Sequence, residues 1–563
     1  MPEREFPRHY IILPLAALIA ILPLILHGPS CGHDFDFHIV NWFEAAHQFL
    51  HGNLHPLWAD TPAWNAGEPR FLFYPPISWT IGALLGLIMP WTWTPIAYTW
   101  LALTAAGLSL YYLAKTFTTQ NAALLAAAFY IVNPYMLYTA YERTAYAELL
   151  AAAWIPLLLH AILRKEVSIP RIAIPVALLW LTNAPAAVMS CYALALLAII
   201  RIVINPGVPS FAPFAKDGVS RESATAVAVK TSIGTALGLA IAAFYILPAA
   251  YERRYVHITM AILPGLIPRD NFLFHRLGDH DHDAVLRTAS LIAVLLIALT
   301  VIAFIINALH RNNENKDRRL LLSLTILTAT IVVLLTPISA PIWHYLPELR
   351  FLQFPWRLLA ILAPTLSLAI ALALSPVNLK PAITTILALT IAAALTWPAA
   401  HLFHQRCYPE DTIPTRLTVF QSANPGTDPT DEYTPVNADN DILAIANPPF
   451  WLSANPTAPA PTSSTPGPAP RHLILTSPIP QTLILNLRSY PTWKITDNGI
   501  PISTLPRKDG LIAFAIPAGS SIIDITPNHR ADEILGLIIS ALALLVLSLL
   551  LATESRSTRK TAI

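Results

Sequence analysis

The chain contains repeated apolar runs that are long enough to cross a membrane. A helix needs about 20 residues to span the hydrocarbon of a bilayer, so an apolar run of about 18 or more residues predicts a spanning helix. Hydrophobic residues make up 55% of the sequence and charged residues 12%, whereas soluble domains carry roughly a quarter charged residues. These features exclude an ordinary soluble enzyme and predict a polytopic α-helical membrane protein with about twelve transmembrane helices. The predicted crossings are 10–28, 96–114, 121–138, 145–163, 171–183, 186–204, 229–249, 285–309, 320–336, 358–374, 382–400 and 534–552.

Segment 76–90 is apolar as well, but a further crossing there would break the distribution of positive charge. Lysine and arginine in short loops mark the cytoplasmic side of a membrane protein. The segment begins at Pro75-Pro76 and ends at Trp91 and Trp93, and tryptophan favours the membrane interface. We therefore expect a half-embedded helix on the outer face and both chain termini in the cytoplasm. The expected extracytoplasmic loops include 29–95, 250–284, 337–357 and 401–533.

The sequence divides into four regions of different composition. Residues 1–400 predict a transmembrane domain that includes the first extracytoplasmic loop, 29–95. Residues 401–470 form a proline-rich extracytoplasmic segment, and its end, Pro456 to Pro470, is typical of an extended linker. Residues 471–533 predict a small extracytoplasmic β-sandwich, and residues 534–563 predict the last transmembrane helix and a cytoplasmic tail. The expected strands are Leu473 to Leu475, Thr482 to Leu487, Leu511 to Ile516 and Ile522 to Ile525.

The charge balance and the cysteine count exclude several kinds of partner and site. A formal net charge of +2 is too small to indicate a nucleic-acid partner, because most lysines and arginines are needed at helix ends to set the topology. Three cysteines argue against a disulfide framework and a cysteine-rich metal site. Cys31 and Cys407 both fall on the outer side, where they either form a disulfide or remain free thiols.

The first outer loop carries ionisable side chains directly after the first helix. Asp34, Asp36 and His38 lie in the run GHDFDFH. Carboxylate oxygens bind divalent cations such as Mg²⁺ or Mn²⁺, and a carboxylate or an imidazole acts as a general base. The loop is therefore a candidate catalytic or metal site, or a solvated loop with neither role. Tyr74, later in the loop, belongs to an aromatic run that predicts interfacial anchors or the wall of a sugar or lipid cleft.

Two further clusters place charge at the mouth of the predicted helix bundle. Glu142, Arg143 and Glu148 follow the third crossing, where ionisable residues are costly unless they are paired or functional. A structural ion pair of Arg143 with either glutamate is the alternative. Arg357, four residues after Gln353, lies outside, against the positive-inside tendency. A guanidinium binds phosphate through two parallel hydrogen bonds, so Arg357 predicts contact with a lipid-linked donor or with an ordinary phospholipid.

Taken together, these motifs resemble the GT-C superfamily of membrane glycosyltransferases. The shared features are an acidic motif at once after helix one, a Pro-Pro-initiated juxtamembrane helix and a run of further crossings. More closely, the chain resembles bacterial membrane proteins labelled 6-pyruvoyl-tetrahydropterin synthase-related, a label that implies no pterin chemistry here. That resemblance rests on Gly32-His33-Asp34, Phe73-Tyr74-Pro75-Pro76, Arg143 with Glu148, and Gln353 to Arg357. The stretch Tyr490 to Gly519 resembles the C-terminal β-domain of GT-C-like bacterial proteins.

The resemblance implies sugar transfer at the outer face of a bacterial inner membrane, from a polyprenyl-phosphate donor to a glycan, lipid or protein acceptor. Asp34 would take the proton of the acceptor hydroxyl, and Asp36 or His38 would orient it or bind a metal. Arg357 and Arg143 would hold the donor phosphate. Supporting roles would fall to Glu142, Glu148, Gln353 and Tyr74. This chain has Asp34-Phe35-Asp36 where the family often has an adjacent Asp-Glu pair. The identity of the general base and the use of a metal are therefore not fixed by the resemblance.

Two other functions are compatible with the sequence. A non-catalytic accessory protein of envelope polysaccharide or glycolipid assembly would keep the same scaffold and use the β-domain to bind a polysaccharide or a partner. A transporter or flippase would show internal repeats and ionisable or broken helices at mid-bilayer. Here no repeat is evident and the charges lie at helix ends. Since fold does not determine function, the outer-face residues decide between these hypotheses.

Overall fold

The computed structural model describes residues 8–204, 222–310, 315–462 and 464–561. Its helices are α1 (His9–His27), α2 (Phe35–Leu50), α3 (Arg70–Phe73), α4 (Pro76–Ile88), α5 (Thr94–Ala114), α6 (Gln120–Val132), α7 (Pro134–Tyr141), α8 (Tyr146–Ala151), α9 (Ile155–Leu163), α10 (Ile169–Thr182), α11 (Ala184–Ile204), α12 (Ala224–Ile241), α13 (Ala243–Glu252), α14 (His280–Leu309), α15 (Asn315–Leu334), α16 (Ala340–Tyr345), α17 (Leu359–Leu374), α18 (Pro381–Phe403), α19 (Ile413–Phe420) and α20 (Ala531–Thr561). Its strands are β1 (Phe450–Ser453), β2 (His472–Ser477), β3 (Gln481–Arg488), β4 (Trp493–Asp497), β5 (Ile500–Pro501), β6 (Leu511–Ile516) and β7 (Gly519–Pro527). The chain is therefore mostly helical, with a β-region near its C-terminal end.

Within these ranges, ten helical segments are long and apolar enough to cross a membrane, and one bent pair of helices raises the number to eleven. The pair joins Arg318–Leu334 to Pro337–Tyr345 at 88°. α10 is apolar but has only 14 residues, about 21 Å, which is shorter than the hydrocarbon core. The ten segments and the bent pair lie at eleven of the twelve predicted crossings, whereas α10 lies at the twelfth, 171–183, and is too short to confirm a crossing there. The predicted class of polytopic helical membrane protein with a C-terminal β-region is confirmed. The ten segments are His9–His27, Trp91–Ala114, Gln120–Tyr141, Tyr146–Leu163, Ala184–Ile204, Ala224–Ile241, His280–Leu309, Pro355–Leu374, Pro381–Phe403 and Ala531–Ser555.

α4 is the apolar segment that the charge pattern excludes from the crossings. It begins at Pro76, and proline suits the first turn of a helix because its missing N–H would have no intrahelical partner. Its 13 residues extend over about 20 Å, too little to span a bilayer. α4 packs on α2 and α5. Gly82 permits the contact with α2, because a Cβ at that position would overlap the Trp42 ring.

The strands form two antiparallel sheets that share one core. The strand orders are β1-β3-β6 and β2-β7-β4-β5. Leu483 and Phe514 of the first sheet and Ile495 and Ile523 of the second are buried in one hydrophobic cluster, which makes the region a small sandwich. The four predicted strands are present as β2, β3, β6 and β7. The β4–β5 hairpin turns at Asn498-Gly499, where φ is positive at both residues, as a type I′ turn requires.

The first sheet takes a strand from a region for which the sequence predicts no strand. β1 lies inside 401–470 and pairs antiparallel with β3, with Trp451 opposite Ile484. Trp451 is buried. The prediction missed β1 because a strand of four residues next to prolines shows no alternating pattern that could be recognised. The sandwich therefore begins before the Pro456 to Pro470 stretch.

The first loop is packed against the β-domain and against the segment that precedes it. Trp58 is buried in the core of the sandwich. Cys31 and Cys407 form a disulfide with a Cα–Cα distance of 4.9 Å, so the structure selects one of the two states that the sequence leaves open. The third cysteine, Cys191, is free. The beginning of the first loop is thereby covalently fixed to the chain just after α18.

Glu252 joins three parts of the molecule at one buried point. It ends α13 and is 0% exposed, and its Oε1 lies 3.1 Å from Nε of Arg530, just before α20. Arg530 also donates a hydrogen bond of 3.0 Å to the hydroxyl of Tyr255. Burial raises the pKa of Glu252 to about 7, against the opposing effect of Tyr490 in the β-domain. The contact between the membrane helices and the β-domain therefore includes a titratable group.

Candidate active site

Asp34 precedes α2 at the point where the first loop contacts the turn after α7. The Asp34 N–H donates to the Arg143 carbonyl at 2.9 Å, and the His33 N–H donates to the Glu142 carbonyl at 3.2 Å. Gly32 allows this approach, because a Cβ there would overlap the Glu142 carbonyl. The Asp34 side chain is half-buried and makes no capping bond to α2. Its carboxylate is therefore available to a ligand.

Arg143 and Glu148 form a buried ion pair beside Asp34. Arg143 Nη1 lies 2.8 Å from Glu148 Oε2, and the two side chains are 5% and 4% exposed. The Tyr135 hydroxyl donates to the other Glu148 oxygen, and the Arg143 guanidinium lies 4.7 Å from the centre of the Trp356 ring. Burial opposes the charge of Arg143, but Glu148, then Tyr135 and Asp34, hold its pKa above the usual value. Arg143 therefore stays charged, and Glu148 balances it.

Arg357 enters the same cluster from the start of the span Pro355–Leu374. Its Nε lies 3.8 Å from Glu148 Oε2 and is buried without a hydrogen-bond partner. Its Nη1 donates to the Leu352 carbonyl at 2.9 Å and to Gln353 Oε1 at 3.3 Å. Gln353 is held in turn, because its Nε2 donates to the Ala261 carbonyl at 2.7 Å. One side of the guanidinium is thus anchored, and the other retains a donor for an additional acceptor.

His38 and Tyr74 form an aromatic wall next to Asp34. The His38 ring lies 6.0 Å from that of Tyr74 and 5.3 Å from that of Tyr146, and its Nδ1 is buried without a partner. Burial lowers the pKa of His38 to about 4, although Asp34 acts in the opposite sense. Burial, followed by Asp34, raises the pKa of Tyr74. Near neutral pH both rings are uncharged, and they can hydrogen-bond to a hydroxyl without adding charge.

The predicted residues Asp36 and Glu142 lie at the edge of this cluster and are paired elsewhere. Asp36 Oδ1 lies 2.6 Å from Nε of Arg416 on α19, and burial raises the pKa of Asp36. Asp34 and Asp36 diverge because residues two apart at a helix start do not face each other. Glu142 accepts a hydrogen bond of 2.6 Å from Gln405. Both carboxylates thus connect the site to the segment that follows α18.

The other predicted site residues lie together in one cluster around Asp34 and Glu148. The negative charge of Asp34 favours the protonated forms of His38, Tyr74 and Arg143, although burial has the larger effect on the pKa of His38 and lowers it. Arg143 and Arg357 share the Glu148 carboxylate. The cluster thus combines one half-exposed carboxylate, two guanidinium groups and one neutral imidazole. Such a set can remove a proton from a hydroxyl and stabilise an anion beside it.

Sequence reasoning missed several side chains that hold this cluster. Tyr135 and Trp356 contact its ion pair, but an aromatic residue in an apolar helix gives no signal of such a role. Arg70 was missed as well: it is buried, its Nε lies 2.7 Å from Glu68 Oε1, and it donates to Asn41 and Thr430, so it joins the first loop to the segment before the β-domain rather than to the cluster itself. A detectable signal for Arg70 was the rarity of a charged residue directly before an aromatic run, Phe71 to Tyr74.

Whether the first loop fits a metal ion depends on which His, Cys, Asp and Glu side chains lie close together. Across residues 8–204, 222–310, 315–462 and 464–561, no group of three or more His, Cys, Asp or Glu side chains is arranged to hold a metal ion. Asp36 pairs with Arg416 rather than with Asp34. The first loop therefore does not fit a metal held by protein ligands alone.

Two solved structures are similar to part of this chain. The arabinofuranosyltransferase AftD from Mycobacteria is similar with a TM-score of 0.42 at 18% sequence identity, over 70% of this chain and 27% of that chain. The oligosaccharyltransferase of Archaeoglobus fulgidus is similar with a TM-score of 0.34 at 17% identity, over 71% of this chain and 54% of that chain. The chain thus spans about a quarter and about half of their lengths. No protein-family model matches the sequence, and no curated protein matches it.

Proposed function

We propose that this protein is a membrane glycosyltransferase of the GT-C type, which moves a sugar from a polyprenyl-phosphate-linked donor to an acceptor at the extracytoplasmic face. The observation that carries the proposal is the position of Asp34. Its available carboxylate lies within electrostatic reach of Arg143, and Arg143 shares Glu148 with Arg357, whose Nε is unpartnered. A general base thus stands beside a site for the leaving phosphate.

In the proposed reaction, Asp34 accepts the proton of an acceptor hydroxyl. The acceptor oxygen forms a bond to the anomeric carbon while the bond from that carbon to the phosphate oxygen breaks, so the configuration inverts. The bonding pair leaves with the polyprenyl phosphate, and Arg357 stabilises the added negative charge through its unpartnered Nε. Arg143 contributes its positive charge through space, since its Nη1 donates to Glu148.

The supporting residues act by holding these groups in place. Glu148 fixes both guanidinium groups, and Gln353 anchors Nη1 of Arg357. Tyr74, which is half-buried, offers an uncharged surface to a sugar ring, which suits a neutral polyol, and the buried His38 packs against the Tyr74 ring. Glu142 and Asp36 attach the loop to the segment beyond α18. In this proposal the protein resides in a bacterial inner membrane with both termini in the cytoplasm.

The test is transfer by purified protein reconstituted in liposomes, supplied with a panel of polyprenyl-phosphate sugars. Native protein is compared with Asp34→Asn, which keeps the shape of the side chain and removes its basicity. Each reaction is repeated with a chelator, because donor phosphate oxygens could complete a Mg²⁺ or Mn²⁺ site at the first loop. Thermal melting of both proteins establishes that they are equally folded.

The outcomes separate the hypotheses. Turnover by native protein that is lost in Asp34→Asn supports the transferase, and the chelator reports whether a metal takes part. Binding of lipid-linked sugar with no turnover of any donor would contradict it and favour an accessory role in envelope polysaccharide or glycolipid assembly.

A further inference from the structure

A large cleft lies at the side of the β-domain, away from the cluster around Asp34. Its volume is about 930 Å³, near the upper end of the range of about 300–1,000 Å³ that is typical of ligand pockets. It lies where the loop between β5 and β6 faces the end of α13 and the segment before β1. The residues that matter here are Tyr255, Asn437, Tyr490, Trp493, Ser503 and Thr504.

The lining of the cleft suits an uncharged ligand with many hydroxyl groups. Ser503 and Thr504 are exposed and present hydroxyls, and Asn437 presents an amide. The indole Nε1 of Trp493 is buried without a hydrogen-bond partner. A buried donor left unsatisfied is costly, so a ligand that accepts this bond gains affinity. Tyrosine and tryptophan also offer apolar ring surfaces with polar tips.

The charges of the cleft argue against nucleic acid and against a strongly charged ligand. Arg507 is paired with Asp509, with Nε 3.0 Å from Oδ1, and is therefore neutralised. Among the described lining residues, Lys508 is the one other cation, and it is exposed. A nucleic acid would need several phosphate contacts to basic side chains.

The two strand edges at the cleft argue against an extended peptide. A peptide that joins a sheet needs a row of free N–H and C=O groups at an edge strand. The free edge of β6 is partly covered, because Leu505 pairs with Ala513 and donates to its carbonyl at 2.6 Å. β5 is the edge of the other sheet but has only two residues and ends in Pro501, which has no N–H. Neither edge can accept a strand of useful length.

We propose that this cleft binds a saccharide chain, held by hydrogen bonds to Trp493, Ser503, Thr504 and Asn437 and by contact with the aromatic rings. The proposal concerns binding only and does not depend on the transfer reaction above. It assigns to the β-domain a second carbohydrate site that is separate from Asp34.

The experiment measures binding of soluble hexasaccharides to the full-length protein in nanodiscs by isothermal titration calorimetry. The probes are maltohexaose, cellohexaose and α-1,6-mannohexaose, each up to about 10 mM, since weak saccharide binding lies in the millimolar range. Thr504→Trp fills the cleft from an exposed position, so the fold is retained. Ser520→Trp places the same bulk at an exposed site on β7 outside the cleft. Trp493→Phe keeps a ring and removes the indole N–H.

We expect at least one probe to bind, with affinity lost in Thr504→Trp, retained in Ser520→Trp and lowered about tenfold in Trp493→Phe. Asp34→Asn should bind normally, which separates this site from the proposed active site. The proposal is overturned if no probe binds at the highest concentration, or if a probe binds and Thr504→Trp leaves its affinity unchanged.

Discussion

Arg357 Nε lies 3.8 Å from the Glu148 carboxylate and has no hydrogen-bond partner. An unpaired buried donor costs about 1–3 kcal/mol, and a phosphate oxygen would remove that cost. Arg357 Nε is therefore the donor that a phosphate group would bind.

Replacing Arg357 by Gln should weaken use of the donor. A hydrogen bond to a charged group contributes about 1.5–3 kcal/mol, so we expect kcat/KM for the donor to fall about 10- to 100-fold. Steady-state transfer assays with varied donor measure this. Arg350→Gln is the matched control, because Arg350 is exposed and stacks on Phe351. Equal effects in both variants would contradict a phosphate-binding role for Arg357.

Asp34→Asn should lower kcat by about 10²–10⁴-fold, the usual contribution of a positioned general base. Asp36→Asn should change kcat by less than about tenfold, because Asp36 is paired with Arg416 and contributes to positioning alone. Transfer rates and melting temperatures of the two variants test this. A larger loss in Asp36→Asn than in Asp34→Asn would reverse the assignment of the base.

Removing one member of the Arg143–Glu148 pair should destabilise the protein strongly. Truncating one partner of a buried ion pair leaves an uncompensated charge and costs about 3–5 kcal/mol. Glu148→Leu should lower the melting temperature more than Arg143→Met and more than the double variant, because its loss alone leaves both Arg143 and Arg357 without a carboxylate. In the matched pair Arg253–Glu348, the side chains are 41% and 44% exposed, so single changes there should cost about 1 kcal/mol or less. If the losses of stability in the two single variants add up to the loss in the double variant, Arg143 and Glu148 are not energetically coupled.

Mass spectrometry of non-reduced peptides should recover Cys31 linked to Cys407, with Cys191 as a free thiol. Cys31→Ser together with Cys407→Ser should lower the melting temperature, because the bond closes a loop with a separation of 376 residues. Transfer activity should fall as well, since Asp34 lies three residues from Cys31 in a loop that the bond holds. Cys191→Ser serves as the control and should leave both quantities unchanged.

Stability should depend on pH through Glu252. Burial raises its pKa from 4.5 to about 7 in the folded protein, so the folded state binds more protons than the unfolded state between these values. Stability therefore falls as pH rises through this window. Glu252→Gln should raise the melting temperature at about pH 8 and have little effect at about pH 5. The exposed Glu410→Gln is the control, and a Glu252→Gln effect that is equal at both pH values would show that the carboxylate does not titrate there.

The sequence predicts the apolar helices of the membrane region, but it does not predict every strand of the β-domain. Apolar length predicts most crossings, since the bilayer fixes the length of a spanning helix, and the distribution of positive charge is needed to separate α4 from them. The pattern also predicts β3 and β6, whose apolar residues form the core of the sandwich. β1 and β4 are short and half-buried, and their pairing depends on contacts with distant strands that no local pattern records.

The sequence indicates which charged residues form the candidate site, but it does not indicate which side chains pair with each other. The positions of Asp34, Arg143, Glu148 and Arg357 at helix ends indicate a charged cluster, because such residues are rare in an apolar chain. The sequence does not show that Asp36 turns to Arg416, or that Tyr135 binds Glu148. These partners lie on separate elements, and tertiary packing brings them together.

The disulfide between the first loop and the chain beyond α18 also sets an order of events during synthesis. Chains grow at about 5–20 residues per second, so with 376 residues between the two cysteines the Cys31 thiol waits about 20–75 s for its partner to be made. Nearly all the spanning segments are synthesised in that interval. A nascent chain that stops short of Cys407 would have a complete Asp34 loop without its anchor, so the site is covalently completed only after the helices up to α18 have been made.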